Sequence, residues 1–508
     1  MKSNPKKTFL YLVVFGAGAS VMAIEMAASR LLAPYFGTSI FIWGNIIGII
    51  LIALSLGYWI GGKLADKHPQ PEYLLYLIML AGVLTSSIPI LFGWYLKLVI
   101  VQISFIAFLI IGSSLAMLFL FFIPVFLLGM VSPFAIRILI STVEESGKTA
   151  GSLYAFSTIG SIIGTFLAAF WLIPFWGTKE TIYLSALILL FLGAWGLKKK
   201  PIFFLLLLLP FLFYFITKDS NIKPVSGLIY EKESPYQYIQ VVERDNQYHL
   251  RVNDGLGLQS VYDPNHILVG SYYDYYSILP FFQNPQGSKE ILLIGLGGGT
   301  ISHQYLALFQ DRFSLNIDGV EIDPEIIKTA RQYFDLADQE ITIHIADGRN
   351  FLEQTDKKYD LLIIDAYAQQ IYIPFHLTTK EFFQKTKTNL EKDGILAMNV
   401  NAVDLNSDIL TRILQTLRSV YPHTYVAPLG EGYNWLVLAS FESLDPQEMK
   451  EKVDLDLLRD VAEEVAVNFQ EIKPDNSIPL LTDNKAPIEL LTEKEIFRFL
   501  FRQARSPA

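Results

Sequence analysis

Three acids stand at the ends of apolar runs, and their spacing is what could do chemistry in this chain. Residues 315–320 lead into Glu321, residues 343–346 into Asp347 and Gly348, and residues 359–364 into Asp365. A fourth apolar run, 291–294, opens instead into Gly295, Gly297, Gly298 and Gly299. A short buried strand, a glycine turn and a helix signal let the backbone approach an adenosine-bearing ligand closely. Glu321 follows roughly twenty residues after the glycines, the separation at which an acid can accept both ribose hydroxyls. Asp347 is suited to accept from an adenine amino group. Four strand ends thus converge on the carboxyl edge of an open α/β sheet, where such sheets bind ligands. A glycine turn alone also serves purely structural purposes, so the added acids carry the reading.

The elements that position these groups are legible as strands alternating with helices. After Asp365 the pattern predicts a helix over 379–390, a turn at Lys392-Asp393-Gly394, a strand over 395–400, a helix over 407–420 and a strand over 435–440. Ahead of the alternation, 236–243, 248–253 and 256–262 read as short antiparallel strands, with turns at Asp245-Asn246 and Asp254-Gly255.

The front of the chain is different in kind. At 508 residues with 52% hydrophobic content, the sequence is too long for one ordinary domain and too apolar for an average soluble protein. Residues 9–217 hold nearly all the long apolar runs, with spans at about 9–33, 39–62, 73–95, 102–130, 149–174 and 179–197, each near the roughly 20 residues a bilayer core needs. A seventh run, 202–216, is short and contains Pro210, so it either spans or lies at the interface. The lysines at positions 2, 6 and 7 precede an apolar pattern that continues into further spans, which favours a first membrane helix over a cleaved signal.

Basic clusters at Lys2, Lys6 and Lys7, at Lys63 and Lys67, at Arg137 and Lys148, and at 198–200 fall after every second span and mark the N-terminus as cytoplasmic. Seven crossings would then put the C-terminal domain outside, whereas an adenosine-bearing metabolite is cytoplasmic. The reading adopted is a multi-pass cell-membrane protein with its catalytic domain in the cytoplasm. Small residues at Gly44 and Gly48, Gly57 and Gly61, and Gly160 and Gly164 are expected to let helices pack closely. Glu25 and Arg30 read either as a buried ion pair or as a contact to a substrate in the membrane.

Composition excludes some classes. The absence of cysteine rules out disulfides, thiolate metal sites and cysteine nucleophiles, and no metal site is expected. A formal charge of -9 without a clustered basic stripe gives no nucleic-acid surface. The fold class expected is a multi-span α-helical bundle (1–217), a small antiparallel β domain (218–285) and an α/β Rossmann-like, methyltransferase-type catalytic domain (286–508).

Six motifs in order carry a resemblance: Glu233-Ser-Pro-Tyr-Gln237, Asn253-Asp254-Gly255, the 294–299 glycine turn, Val320-Glu321-Ile-Asp323, Ala346-Asp347-Gly348, and Asp365. Over about 228–440 the chain resembles the spermidine synthases, the polyamine aminopropyltransferases, and as a whole it looks like their membrane-fused branch, of which Glu25-Met-Ala-Ala-Ser-Arg30 is typical. The resemblance implies that Gln237, Glu321, Asp347 and Gly348, with the turn at Gly295 and Gly297, hold decarboxylated S-adenosylmethionine. It implies that Asp365 accepts a proton and that Tyr272 lies beside the amine. It also implies a small-molecule amine acceptor and admits a homodimer.

The departures all fall on the acceptor side. Gly298 stands where the family's turn has an acid, its Tyr-His-Glu stretch reads Tyr272-Tyr273-Asp274, and its Asp-x-x-Asp reads Asp365-Ala-Tyr-Ala368. Losing acids that would pair with a diamine's far ammonium group weakens the case for putrescine. Gln237 could instead satisfy a sheet edge, the tyrosines at 272, 273, 275 and 276 could be core aromatics, and Asp365 could cap a helix. Leu481-Thr-Asp483-Asn-Lys-Ala-Pro487 also looks like the membrane-fused branch, without an evident mechanism. The rival readings are an S-adenosylmethionine lyase releasing methylthioadenosine without an acceptor, a methyltransferase using S-adenosylmethionine, and a transporter or sensor with a nucleoside-binding domain.

Overall fold

A computed structural model describes residues 5–38, 40–99, 111–140, 142, 146–253, 255, 257–283, 287–336, 340–367, 372–430 and 432–503. The chain divides into two compact units, Met1–Pro224 with Lys232–Tyr238, and Val225–Glu231 with Ile239–Ala508.

In the first unit, six helices are long and apolar enough to cross a membrane: Lys7–Phe36, Ile42–Lys67, Pro71–Leu98, Ser113–Leu139, Ser146–Trp176 and Thr178–Gly196. The 102–110 part of the expected fourth span lies outside the described residues. The seventh run forms a shorter apolar helix, Pro201–Thr217, which begins as a 3-10 turn at Pro201–Leu207. Val13, Val14, Ile24, Ala27, Leu31 and Leu32 bury one side of the first helix in the bundle core. Close helix packing is real at two of the three glycine pairs. A Cβ at Gly160 or Gly164 would lie 2.2 Å from the carbonyl oxygen of Phe15 or Ala19, and at Gly57 2.4 Å from that of Phe126. Gly44 and Gly48 have nothing within 4 Å of that position, so the expectation fails there: small side chains at this spacing permit an approach but do not supply a neighbour.

Glu25 and Arg30 are five residues apart on one helix, which at 100° per residue sets them about 140° apart around its axis and ill-placed for an ion pair. Arg30 instead donates to the Pro235 carbonyl. Two residues earlier, the Glu233 carboxylate accepts from the Thr178 backbone N–H at 2.8 Å and its hydroxyl at 2.5 Å, capping the helix Thr178–Gly196. Burial raises the Glu233 carboxyl above its ordinary range, and the Thr178 donors offset part of that rise. The segment 232–238 is thereby fastened to two helices of its own unit.

The second unit contains two sheets. The smaller has the order β1 (Leu228–Glu233), β2 (Tyr238–Arg244), β3 (Gln247–Val252) and β4 (Ser260–Tyr262). Asp245 and Asn246 both adopt positive φ, 52° and 65°, as a two-residue hairpin turn requires. Strand β1 has no counterpart in the sequence reading, and Asp254 of the second expected turn lies outside the described residues.

The larger sheet has the order β12-β10-β11-β9-β8-β5-β6-β7, where β5 is Ser288–Ile294, β6 Ser314–Glu321, β7 Ile341–Ile345, β8 Tyr359–Ile364, β9 Leu390–Asn401, β10 His423–Leu429, β11 Asn434–Ser440 and β12 Gln470–Glu471. Strands β7-β6-β5-β8-β9 run parallel and β11, β10 and β12 are antiparallel additions. Chain order reverses between β5 and β8, which makes their carboxyl ends the crevice for a ligand. Alternate residues feed two cores. Ile291, Leu293, Leu361 and Ile363 face Tyr273, Tyr276, Tyr305 and Phe309, while Leu292, Ile294, Leu362 and Ile364 face Phe382 and Phe383. The turn expected at Lys392-Asp393-Gly394 is a bulge inside β9: pairing with β8 jumps from Tyr359–Leu390 to Leu361–Ile395. The Gln283 amide stabilises it by donating to the Asp360 and Asp393 carbonyls at 3.0 and 2.9 Å.

Candidate active site

The site begins where β5 ends. Gly295 takes φ of 89°, and a Cβ there would lie 2.4 Å from the Asp365 carbonyl oxygen, so only glycine lets the end of β5 turn so close to the end of β8. The Asp365 N–H completes the join by donating to the Ile294 carbonyl at 2.8 Å. Asp365 is therefore the first residue past β8, pointing out of the sheet's edge instead of continuing it.

Its partner comes from a distant 3-10 stretch, Tyr272–Phe282. The start of that stretch is held by Ser271 and Asp274 in a reciprocal capping box, and Asp274 also accepts from Val269 N–H, Gly270 N–H and the Gln304 amide at 3.0, 2.8 and 2.6 Å. So fixed, the Tyr272 hydroxyl donates to the two Asp365 oxygens at 3.0 and 3.3 Å. The Asn399 side chain at the end of β9 bonds Asp365 as well, and Tyr367 donates to the Asn399 carbonyl at 2.9 Å. Burial pushes the Asp365 carboxyl up to about 7, against the opposing pull of Tyr272 and Asn399. Burial and the neighbouring Asp365 charge drive the Tyr272 phenol well above 10, so it serves as a hydrogen-bond donor. Asp365 nonetheless remains partly exposed. A carboxylate poised near neutrality and open on one side is suited to take a proton from a bound group.

The neighbouring strand ends hold the other acids. Glu321 accepts from the Gly297 N–H at 3.0 Å and the Asp323 N–H at 3.1 Å, and Gly295 N–H reaches the Val320 carbonyl at 2.9 Å. Burial raises the Glu321 carboxyl, and the two backbone donors restrain it. At the next tip Asp347 caps the helix Gly348–Gln354 through the Asn350 N–H at 3.0 Å, while its other oxygen meets His376 Nε2 at 2.8 Å. A Cβ at Gly348 would lie 2.3 Å from Ile294 Cγ2, so this helix starts hard against β5. Gly295, Gly297, Glu321, Asp347, Gly348, Asp365 and Tyr272 are thus joined through consecutive strand ends of one sheet. Gln237 belongs to the other unit, where its N–H and carbonyl close a turn with Ser234.

The acceptor-side departures have structural causes of their own. A Cβ at Gly298 would sit 2.8 Å from Ser260 Cβ and 2.9 Å from Phe334 Cδ1, leaving no room for an acid. Tyr273 donates to the Leu258 carbonyl at 2.8 Å. Ala368 lies outside the described residues.

Sequence reasoning missed Asn399, Tyr367 and His376. Asn399 had a signal, a lone amide within the apolar run that closes β9. The 481–487 motif acquires a mechanism: Asp483 takes both Arg349 Nη atoms at 2.7 Å, its N–H donates to Glu381 at 3.0 Å, and the Leu481 carbonyl accepts from Lys380 N–H at 2.8 Å. It clasps the helix that starts after Asp347 to the helix Lys380–Thr388.

Fold and strand order together define a Rossmann-like α/β domain of the methyltransferase type. Residues 272–449 match the family model for the spermine/spermidine synthase domain. Over 299 residues it is 32% identical to a probable polyamine aminopropyl transferase of Bifidobacterium longum, covering 54% of this chain and 65% of that protein, just under two thirds of its length. Over 481 residues it is 23% identical to polyamine aminopropyltransferase 2 of Aquifex aeolicus, covering 88% of this chain and 91% of the relative. A crystal structure of a probable spermidine synthase from Corynebacterium glutamicum aligns with a TM-score of 0.41 at 17% identity, over 52% of this chain and 99% of the other.

Proposed function

We propose that the protein is a membrane-anchored aminopropyltransferase, moving an aminopropyl group from decarboxylated S-adenosylmethionine to an amine and releasing methylthioadenosine. The observation that carries the reading is the Tyr272–Asp365 contact of 3.0 Å at the strand end beside the glycine turn. Glu321 receives the ribose hydroxyls and Asp347 the adenine amino group, on strand ends that Gly295, Gly297 and Gly348 allow to pack closely. Each Glu321 oxygen accepts one backbone N–H and keeps a second lone pair for a ribose hydroxyl.

In the reaction, the amine nitrogen attacks the aminopropyl carbon bound to the sulfonium. The C–S bond breaks with its electron pair going to sulfur, which leaves as the neutral thioether. The proton lost by nitrogen passes to Asp365, and Tyr272 keeps that carboxylate aimed. Because the donor arrives activated, positioning supplies much of the remaining rate. The six apolar helices anchor the chain in a membrane, with the short Pro201–Thr217 helix not crossing, so that an N-terminus on the cytoplasmic side leaves the catalytic unit there too.

The test is to incubate the full chain in detergent with decarboxylated or intact S-adenosylmethionine, with and without an amine panel, and identify the thionucleoside. Methylthioadenosine appearing only with the decarboxylated donor and an amine is expected. Methylthioadenosine from the intact donor alone would indicate a lyase, S-adenosylhomocysteine a methyltransferase, and no product a binding protein.

A further inference from the structure

We propose that His376 decides which base the donor carries: acting through Asp347, it holds that carboxylate in the orientation that accepts an adenine amino group and turns away a 6-oxopurine. The proposal rests on the aminopropyl-transfer reading, in which Asp347 meets the adenine, and adds to it a positioning residue for base specificity.

The two Asp347 oxygens are bound from different elements. Oδ1 accepts from the Asn350 N–H at 3.0 Å, within the helix Gly348–Gln354, and Oδ2 lies 2.8 Å from His376 Nε2, 29 residues further along the chain. A carboxylate can only accept, so Nε2 carries the proton and His376 donates whether its ring is neutral or charged. One bond alone would leave the carboxylate free to turn about its Cβ–Cγ bond. Two bonds from separate elements fix its plane. Each oxygen keeps a second lone pair, and the Asp347 and His376 side chains are 23% and 31% exposed, so a ligand can reach the pair.

His376 is held in its turn. It lies in the one-turn 3-10 segment Phe375–Leu377, which the Leu377 N–H closes by donating to the Pro374 carbonyl at 2.9 Å. Leu377, 2% exposed, packs in the core with Ile294 and Leu352. The His376 carbonyl accepts from Arg349 Nη1 at 3.3 Å. Asp347 and Arg349 flank Gly348, so the turn and the start of the helix are latched twice, once from each side. The imidazole is thereby a fixed donor, and the carboxylate takes its direction from it.

That direction matters for the base. Adenine offers an amino donor on C6 beside an acceptor at N1, whereas hypoxanthine has a carbonyl oxygen on C6 and its N–H at N1. A carboxylate free to turn could follow the donor from one position to the other. A pinned one is left facing the carbonyl oxygen, two acceptors with no proton between them, and a site built to bond an N–H rejects the analogue that lacks it.

The test measures binding of methylthioadenosine and methylthioinosine to the full chain in detergent by calorimetry. The parent is expected to favour methylthioadenosine by about 10- to 100-fold, the range of one hydrogen bond to a charged group. His376→Phe keeps a ring without a donor and should lower that preference by about tenfold, chiefly by weakening methylthioadenosine. His376→Gln, whose amide N–H can stand where Nε2 does, should keep most of it. With decarboxylated S-adenosylmethionine varied, His376→Phe should raise the donor KM with kcat at saturation nearly kept. Equal loss of affinity for both nucleosides in His376→Phe, or a preference the same as the parent's, overturns the proposal and leaves the transfer reading standing. If His376→Phe does not fold, His376→Gln decides, and loss of the preference there overturns the proposal. A parent that binds methylthioadenosine no better than methylthioinosine also overturns it, and a parent that binds neither overturns both readings.

Discussion

The Tyr272 hydroxyl lies 3.0 Å from Asp365 Oδ2 across 93 residues of chain, and it is the shorter of two contacts to the same carboxylate. Tyr272→Phe removes a donor that favours the charged carboxylate. The Asp365 carboxyl should therefore rise from about 7, and the rate of methylthioadenosine release near neutral pH should fall roughly 10- to 100-fold, in line with the roughly 1.5–3 kcal/mol of a hydrogen bond to a charged group. A pH–rate profile decides it: an acid limb that does not move toward higher pH in the variant would remove Tyr272 from this role.

The same carboxylate sets the pH dependence of the native protein. A general base must be ionised, so the rate should climb as pH passes through about 7 and level off above it. Stability runs the other way. The folded state holds the Asp365 proton more tightly than the unfolded chain, so this group's contribution declines as pH rises from the ordinary aspartate range toward 7. Asp365→Asn should lower the rate by about 10²–10⁴ while donor binding, followed by calorimetry, is retained. Loss of donor binding in step with rate would show that Asp365 holds the nucleoside instead.

Arg349 and Asp483 meet through two bonds of 2.7 Å at side chains 21% and 40% exposed. At that exposure the pair contributes at most about 1 kcal/mol to stability, so its use is to set the helix that begins after Asp347. Asp483→Asn is expected to raise the donor KM several-fold with kcat at saturation nearly kept, and Asp483→Glu to restore most of it. Steady-state kinetics with the donor varied give the answer, and a fall in kcat at unchanged KM would contradict a positioning role.

Gly348→Ala would force a Cβ to 2.3 Å from Ile294 Cγ2. Overpacking of this kind costs about 1–3 kcal/mol. Thermal unfolding should show the loss, and adding Ile294→Leu, which removes the β-branch, should recover part of it. A Gly348→Ala protein as stable as the parent would mean that the helix slides freely along β5.

Much of the parallel core could be read in advance because each strand is an apolar run ended by an acid or glycine: residues 291–294, 315–321 and 359–364 fall inside β5, β6 and β8. The bulge in β9 could not, because Lys392-Asp393-Gly394 has turn chemistry and only the ladder to β8 and the Gln283 amide keep it in the sheet. Strand β1, Leu228–Glu233, carries three charged residues among six and gives little alternation, so tertiary pairing decides it. At the site the backbone-anchored acids were legible from their place at strand tips. His376 and the partner of Asp483 were not, since no local spacing encodes a meeting between elements apart in the chain, and the lone amide of Asn399 marked a polar position in β9 without naming Asp365 as its partner.

The capping of the helix Thr178–Gly196 by Glu233 bears on how the protein can be cut. A soluble fragment begun at Lys218, where hydrophobicity ends, would strip the Glu233 carboxylate of both Thr178 donors and leave the Pro235 carbonyl without the Arg30 guanidinium. Composition and hydrogen bonding thus draw the boundary differently: residues 232–238 go with the helices, and a cut at Lys218 leaves these groups to water or unpaired, at about 1–3 kcal/mol for each that stays buried.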